Sequence, residues 1–181
     1  MNKFVFFLAM VGLIAIARII PHPWNFTPIG AVGFLGAYYC KPWWLGMLAS
    51  LGVMVVSDSV IGFYHLPILV AVYGSFMLYA VLGRVSRGAY WHHCEGMKYA
   101  PVLLFAFLGS FVFFIFTNSA VWLFGTLYPH HLMGWISALV AGVPFYRNMM
   151  LGDSMYIGGA LAIREIIKYA RVRYTVSRAL L

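Results

Sequence analysis

Acidic side chains are almost absent: Asp and Glu total 4 in 181 residues against 12 Lys and Arg, and charged residues of both signs make up only 9% of the chain. A water-soluble domain normally carries about a quarter of its residues as charges, so a soluble fold is excluded by composition. Cysteine is also scarce. Cys40 and Cys94 both fall in segments expected on the cytoplasmic side, which leaves a disulfide framework without support. Nucleotide motifs are missing, because Lys3, Lys41, Lys98 and Lys168 are followed by Phe4, Pro42, Tyr99 and Tyr169, and none ends a G-x-x-x-x-G-K-[ST] loop. Neither a G-x-S-x-G elbow nor an H-E-x-x-H helix occurs, so no catalytic set can be named and no enzyme is expected. Internal repeats, low-complexity tracts and linkers are lacking as well, and residues 1–181 read as one transmembrane domain.

What is present is apolar. Hydrophobic residues make up 64% of the chain, and the mean hydropathy is +0.89. A helix needs about 20 apolar residues to cross ~30 Å of hydrocarbon. The chain therefore accommodates about six crossings with short loops and predicts an all-α integral membrane protein. The runs Phe4 to Ile20 and Val102 to Phe116 are continuous, whereas membrane strands alternate in polarity, which disfavours a barrel. The net charge of +8 comes from basic residues that bracket apolar runs. Such placement fits a lipid bilayer and argues against nucleic acid.

Prolines punctuate the helices. Spans are expected at about 3–20, 28–40, 43–62, 67–82, 101–117 and 149–169. Pro21 stops the first, Thr27 and Pro28 supply a cap and a first-turn proline for the second, and Pro42, Pro67 and Pro101 open the next three. Lys3 with Ala15 and Ala17 imitates a cleavable signal, but Arg18 to Pro21 continue the apolar stretch and favour a retained span. Ala120 to Leu127 is too short to cross and Leu132 to Val143 is half of a crossing, so both are expected as interfacial or re-entrant helices. With six crossings and the N-terminus inside, Lys3, Lys41, Arg84, Arg87, Lys98, Arg164, Lys168, Arg171, Arg173 and Arg178 are cytoplasmic and only Arg18 and Arg147 are outside. This asymmetry follows the positive-inside rule and predicts both termini in the cytoplasm.

The same topology gathers Arg18, Asp58, Arg147 and Asp153 at one outer rim. Charges near hydrocarbon face a partner or a wet cavity, so a binding rim and a set of structural ion bridges both satisfy the cost. Around them fall His22, Trp24, Asn25, His65, Asn118, Trp122 and Asn148, with Tyr128, His130 and His131. Aromatic walls with a few convergent polar groups are the usual form of a small-molecule site, although Trp and Tyr also belt membrane interfaces. The outer histidines show no spacing that pairs them on a helix face, and adjacent His92-His93-Cys94-Glu95 cannot all turn to one ion, so no metal or other cofactor is expected. Gly30, Gly33 and Gly36 with Ala37, Gly46 with Ser50, and Ser154 with Gly158 and Ala162 give small faces for close helix packing, within the chain or with a partner.

Several segments carry a family resemblance: Arg18-Ile19-Ile20-Pro21-His22-Pro23-Trp24-Asn25-Phe26-Thr27-Pro28, Ser57-Asp58, Phe116-Thr117-Asn118-Ser119-Ala120-Val121-Trp122, Tyr128-Pro129, Pro144-Phe145-Tyr146-Arg147-Asn148 and Leu151-Gly152-Asp153. In these the chain resembles a family of small bacterial membrane proteins described as transport proteins, and is similar to the substrate-binding S components of energy-coupling factor (ECF) vitamin transporters. The resemblance implies six helices in the bacterial inner membrane and capture of a vitamin-like molecule from outside. It also implies a membrane T component and ATPase subunits as partners, in keeping with the missing nucleotide loop. Two features depart from the S-component pattern. Ala9, Gly12, Ala15 and Ala17 do not form its Ala-xxx-Ala face, and Met1-Asn2-Lys3 is unlike the Met-His start of cobalt and nickel carriers.

The expected function is therefore a substrate-capture subunit for uptake of a small organic nutrient. The alternative is an accessory or assembly protein whose outer charges are structural.

Overall fold

The computed structural model describes residues 12, 14–16, 18–21, 23–88 and 99–179. Among these every regular element is a helix. Residues 14–16 and 18–19 are helical, and residues 20, 21 and 23–28 are non-helical. Five further helices follow: α1 (Ile29–Tyr39), α2 (Trp44–Ile61), α3 (Leu66–Gly88), α4 (Ala100–Phe124) and α5 (Leu132–Ala179). His22, the run from His92 to Glu95, Tyr90 and Trp91 lie outside the described residues, as do Lys3, Ala9, Ala17 and Lys98.

Pro28 sits at the N-cap of α1, and its carbonyl accepts the Val32 N–H at 2.9 Å. The cap is thus one residue later than expected, which frees Thr27 to face inward. Gly62 closes α2: at φ +106°, a region that favours glycine, its N–H returns to the Asp58 carbonyl at 2.8 Å. The His65 carbonyl accepts the N–H groups of Ile68 and Leu69, both at 3.0 Å, and so starts α3.

Small residues bring the backbones together. A Cβ on Gly46 of α2 would lie 2.2 Å from the Ala37 nitrogen of α1, and one on Gly83 of α3 would lie 2.2 Å from the Phe34 carbonyl oxygen. The groove of α1 is therefore filled from within the chain, by α2 on one side and α3 on the other. The face of Ser154, Gly158 and Ala162 differs, because a Cβ on Gly158 would meet nothing within 4 Å. Phe34, Val53, Met54, Tyr79 and Ile157 are fully buried between the helices.

Several boundaries correct the sequence reading: α3 runs on to Gly88 past the expected 82, α5 runs to Ala179 past the expected 169, and the largest differences lie between α4 and α5. Helix α4 does not stop at Thr117 but runs to Phe124; of the stretch expected as interfacial or re-entrant pieces, residues 120–124 are the last turn of α4, 125–131 are a non-helical turn, and 132–143 are the first turns of α5. The polar triplet Thr117-Asn118-Ser119 does not end the helix because its side chains are satisfied locally. Thr117 Oγ1 donates to the Phe113 carbonyl and Asn118 Nδ2 to the Phe114 carbonyl, both at 2.8 Å, and Ser119 accepts from Trp135 Nε1 at 2.9 Å. Helix α5 is unbroken across Pro144, which stands on an exposed face. From Trp135 to Gly142 its partner on α4 moves only from Ser119 to Asn118, whereas from Tyr146 to Glu165 it moves from Phe114 to Tyr99. The first turns of α5 therefore run obliquely over the end of α4, and the rest descends alongside it.

Helices α2, α3 and α4 are long and apolar enough to cross a membrane, and only 28–39% of their apolar windows is buried inside the fold. Val60, Val70, Leu104, Phe116 and Met155 all point outward at half exposure or more. Apolar surface on that scale calls for a cover other than water.

Candidate functional site

Arg18 extends from the N-terminal helical segment to α2, where Nη1 donates to Asp58 Oδ1 and to Ser57 Oγ. Ser57 in turn donates to the Val53 carbonyl at 2.8 Å. The second oxygen of Asp58 accepts the Tyr73 hydroxyl of α3 at 2.8 Å. Asp58 is 1% exposed, so the carboxylate is removed from water yet satisfied on both oxygens, one by a cation and one by a phenol. Two opposite charges one turn from helix ends thus become a single neutral unit that ties the N-terminal segment to α2 and α3.

Beside this unit, and lined in part by Arg18 itself, lies a cavity of about 260 Å³. Arg18, Asn25, Thr27, Thr117 and Asn118 give it polar walls, and Phe76, Phe113 and Phe145 give it aromatic ones. Asn25 adopts φ 61°, a left-handed conformation that Asn tolerates better than most residues, within a turn closed by the Phe26 N–H on the Pro23 carbonyl at 3.0 Å. In the loop between α2 and α3, Tyr64 contributes a neutral hydroxyl: burial and then the Asp58 carboxylate push its phenol up to about 12. Asn118 has less to offer a ligand than its type suggests, since its amide nitrogen is bonded to Phe114 and its oxygen lies against Gly142.

The other residues singled out from sequence occupy different places. Trp24 is 76% exposed and meets Phe145 edge-on at 6.4 Å, while its carbonyl accepts Asn148 Nδ2 at 3.2 Å. Together Trp24 and Asn148 fix the loop at 23–28 beside the cavity without lining it. Trp122 donates to the Pro129 carbonyl at 3.0 Å and meets His130 edge-on at 6.1 Å, which ties down the turn between α4 and α5. His65 presents an exposed ring, and its backbone does the capping of α3. Arg147 is exposed and forms no ion pair among the described residues. No group of three or more metal-ligating side chains occurs among the described residues.

Asp153 does not join the rim expected from the sequence. It is 2% exposed, and Oδ2 accepts the hydroxyls of Tyr79 at 2.6 Å and Ser110 at 2.7 Å. Tyr79 is six residues further along α3 than Tyr73, about 9 Å at helical rise. The two aspartates therefore lie at different depths, and neither Arg18 nor Arg147 reaches Asp153. Phe76 separates the levels: it lines the cavity and meets the Tyr79 ring at 6.0 Å and the Phe113 ring at 4.9 Å. Sequence reading missed Tyr73, Tyr79 and Ser110, whose one signal is a hydroxyl inside an otherwise apolar run.

At the opposite end of the bundle Arg164 lies over the Tyr39 ring at 5.2 Å and beside the Tyr99 hydroxyl, which also donates to Glu165.

A family profile, described as a family of unknown function (DUF6580), matches residues 1–176, and the chain belongs to that family. No curated protein and no solved structure matches it.

Proposed function

We propose that this member of the DUF6580 family captures a small organic nutrient, vitamin-like in size, for uptake across a bacterial cytoplasmic membrane, with both termini in the cytoplasm and the Arg18 end facing out. The observation that carries the reading is the cavity, whose polar groups converge from the N-terminal segment, the following loop and α4 onto one space floored by aromatic rings. At about 260 Å³ it lies just below the usual 300–1,000 Å³ of small-molecule pockets, so its ligand is compact. Because Asp58 already neutralises Arg18, the walls are polar without net charge. They suit a neutral, ring-bearing molecule held by hydrogen bonds to Asn25 and Thr27 and by the faces of Phe76 and Phe113.

Native mass spectrometry of the protein in lipid nanodiscs, exposed to a panel of vitamins, tests this. One panel member is expected to be retained, and Val121→Trp, which fills the cavity wall, is expected to abolish retention while leaving the melting temperature unchanged. Failure of every panel member, or retention undiminished by Val121→Trp, counts against capture in this cavity.

A second reading takes its support from the same ion pair. A charge pair satisfied internally has nothing left for a ligand, as in an accessory or assembly protein that holds its own helices together. A stoichiometric membrane partner that copurifies without any small molecule favours it. In the capture reading, by contrast, copurifying T and ATPase subunits accompany a retained ligand.

A further inference from the structure

We infer that Asp153 is a proton-binding site: its carboxyl, held by Tyr79 and Ser110 under the floor of the cavity, takes up and releases a proton inside the helix bundle.

Three observations point there. The first is the lack of a counter-ion. Asp58 is as deeply buried as Asp153 and has a guanidinium, whereas no Lys, Arg or His among the described residues pairs with Asp153. The groups that face it are a phenol from α3, a hydroxyl from α4 and the Gly30 backbone of α1, none of them charged; Tyr146, two turns earlier on α5, is the next titratable group near Tyr79. A lone carboxylate in such surroundings is costly, and a proton removes the cost. The second is space. A Cβ on Gly30 would lie 3.0 Å from Asp153 Oδ1 and 2.9 Å from the Tyr79 ring, and one on Gly109 would again lie 2.9 Å from that ring. Where a methyl group does not fit, a cation with its shell of oxygen ligands does not fit either, and the four oxygens of Asp153, Tyr79 and Ser110 are too few to replace that shell. The third is geometry. Both hydroxyls donate to Oδ2, so Oδ1 is the oxygen left to carry the proton. The step is a protonation only, carboxylate plus proton to carboxylic acid, and needs no other reactant.

This goes beyond nutrient capture and stands without any ligand in the cavity. Intramembrane carboxyls of this kind let a membrane proton gradient act directly on a protein. Phe76, which touches both the cavity and Tyr79, is the side chain through which the two levels meet.

Infrared titration of the purified protein in nanodiscs tests the inference without a substrate. The chain has four side-chain carboxyls, Asp58, Glu95, Asp153 and Glu165, which makes a carboxylic C=O band assignable. Wild type is expected to show such a band at mildly acidic pH, where an ordinary exposed carboxyl is already ionised, and to lose it as the pH is raised through neutrality. Asp153→Asn is expected to lack it and Asp58→Asn to retain it. Tyr79→Phe is expected to keep the band but displace it, because one of its two hydroxyl donors is gone; this variant also serves if Asp153→Asn does not fold. A wild-type spectrum without the band across the whole titration, a band that survives Asp153→Asn, or a band that Tyr79→Phe leaves unmoved overturns the assignment.

Discussion

Asp58 and Asp153 receive opposite treatment in the same fold, and the difference lies in what each oxygen touches. Asp58 has a cation on one oxygen and a phenol on the other. Removing one member of a buried pair strands the other, so Asp58→Asn is expected to cost about 3 kcal/mol, the low end of the usual range because Arg18 keeps 17% exposure. The double variant Arg18→Met with Asp58→Leu, which removes both charges, is expected to lie closer to wild type than either single change. Thermal unfolding in nanodiscs reads this as a non-additive cycle. At this scale the sequence was partly legible. Opposite charges in apolar helices, Arg18 and Asp58, announce themselves, and Asn25 and Asn118 were picked out beside them. Depth was not legible, since only the oblique start of α5 sets Asp153 below Asp58. Nor were Tyr73, Tyr79 and Ser110, because a hydroxyl that bonds within the bundle looks the same in sequence as one that faces a lipid headgroup.

Between elements the decisive groups are the smallest. Where Gly46 meets α1 there is no space for a methyl group, so Gly46→Ala is expected to be destabilising by about 1–3 kcal/mol through forced separation of α1 and α2. Gly158→Ala, at an open position in α5, is expected to be neutral or stabilising by up to about 1 kcal/mol, because it only improves helix propensity. Melting temperatures of the two variants side by side check both statements. Helix starts were legible because proline marks them: Pro28, Pro67 and Pro101 each stand within two residues of an observed start. Helix ends were not, because Asn118 and Pro144 read as breaks on rules that the fold overrides. Asn118 bonds back to its own helix, and Pro144 gives up one hydrogen bond on an exposed face of a helix held by its neighbours on either side. Pro144→Ala is accordingly expected to leave α5 intact and the melting temperature equal to or above that of wild type.

For the whole molecule the question is which way it faces. Cys40 is exposed at the end of α1 remote from Arg18, whereas His65 is exposed beside Tyr64 at the Arg18 end. In a Cys94→Ser background, a membrane-impermeant maleimide is expected to leave Cys40 unlabelled in intact cells and to label it after permeabilisation. His65→Cys with Cys40→Ser is expected to react in intact cells. The reverse pattern would turn the cavity toward the cytoplasm and end the uptake reading. Length and composition made the helical class legible at once; orientation rests on the distribution of Lys and Arg, which describes the loops and leaves the position of the cavity to the fold.

One feature reaches beyond the bundle. At 48 residues α5 is about 72 Å long, more than twice the ~30 Å of a hydrocarbon core. Its end at Ala179 lies 26 residues beyond Asp153, about 39 Å away at helical rise. Any change of tilt at the buried carboxyl is therefore magnified at the far end of the helix. A tilt of about 5° there would carry the basic tip through about 3 Å, so a proton bound where we propose would act through a long arm.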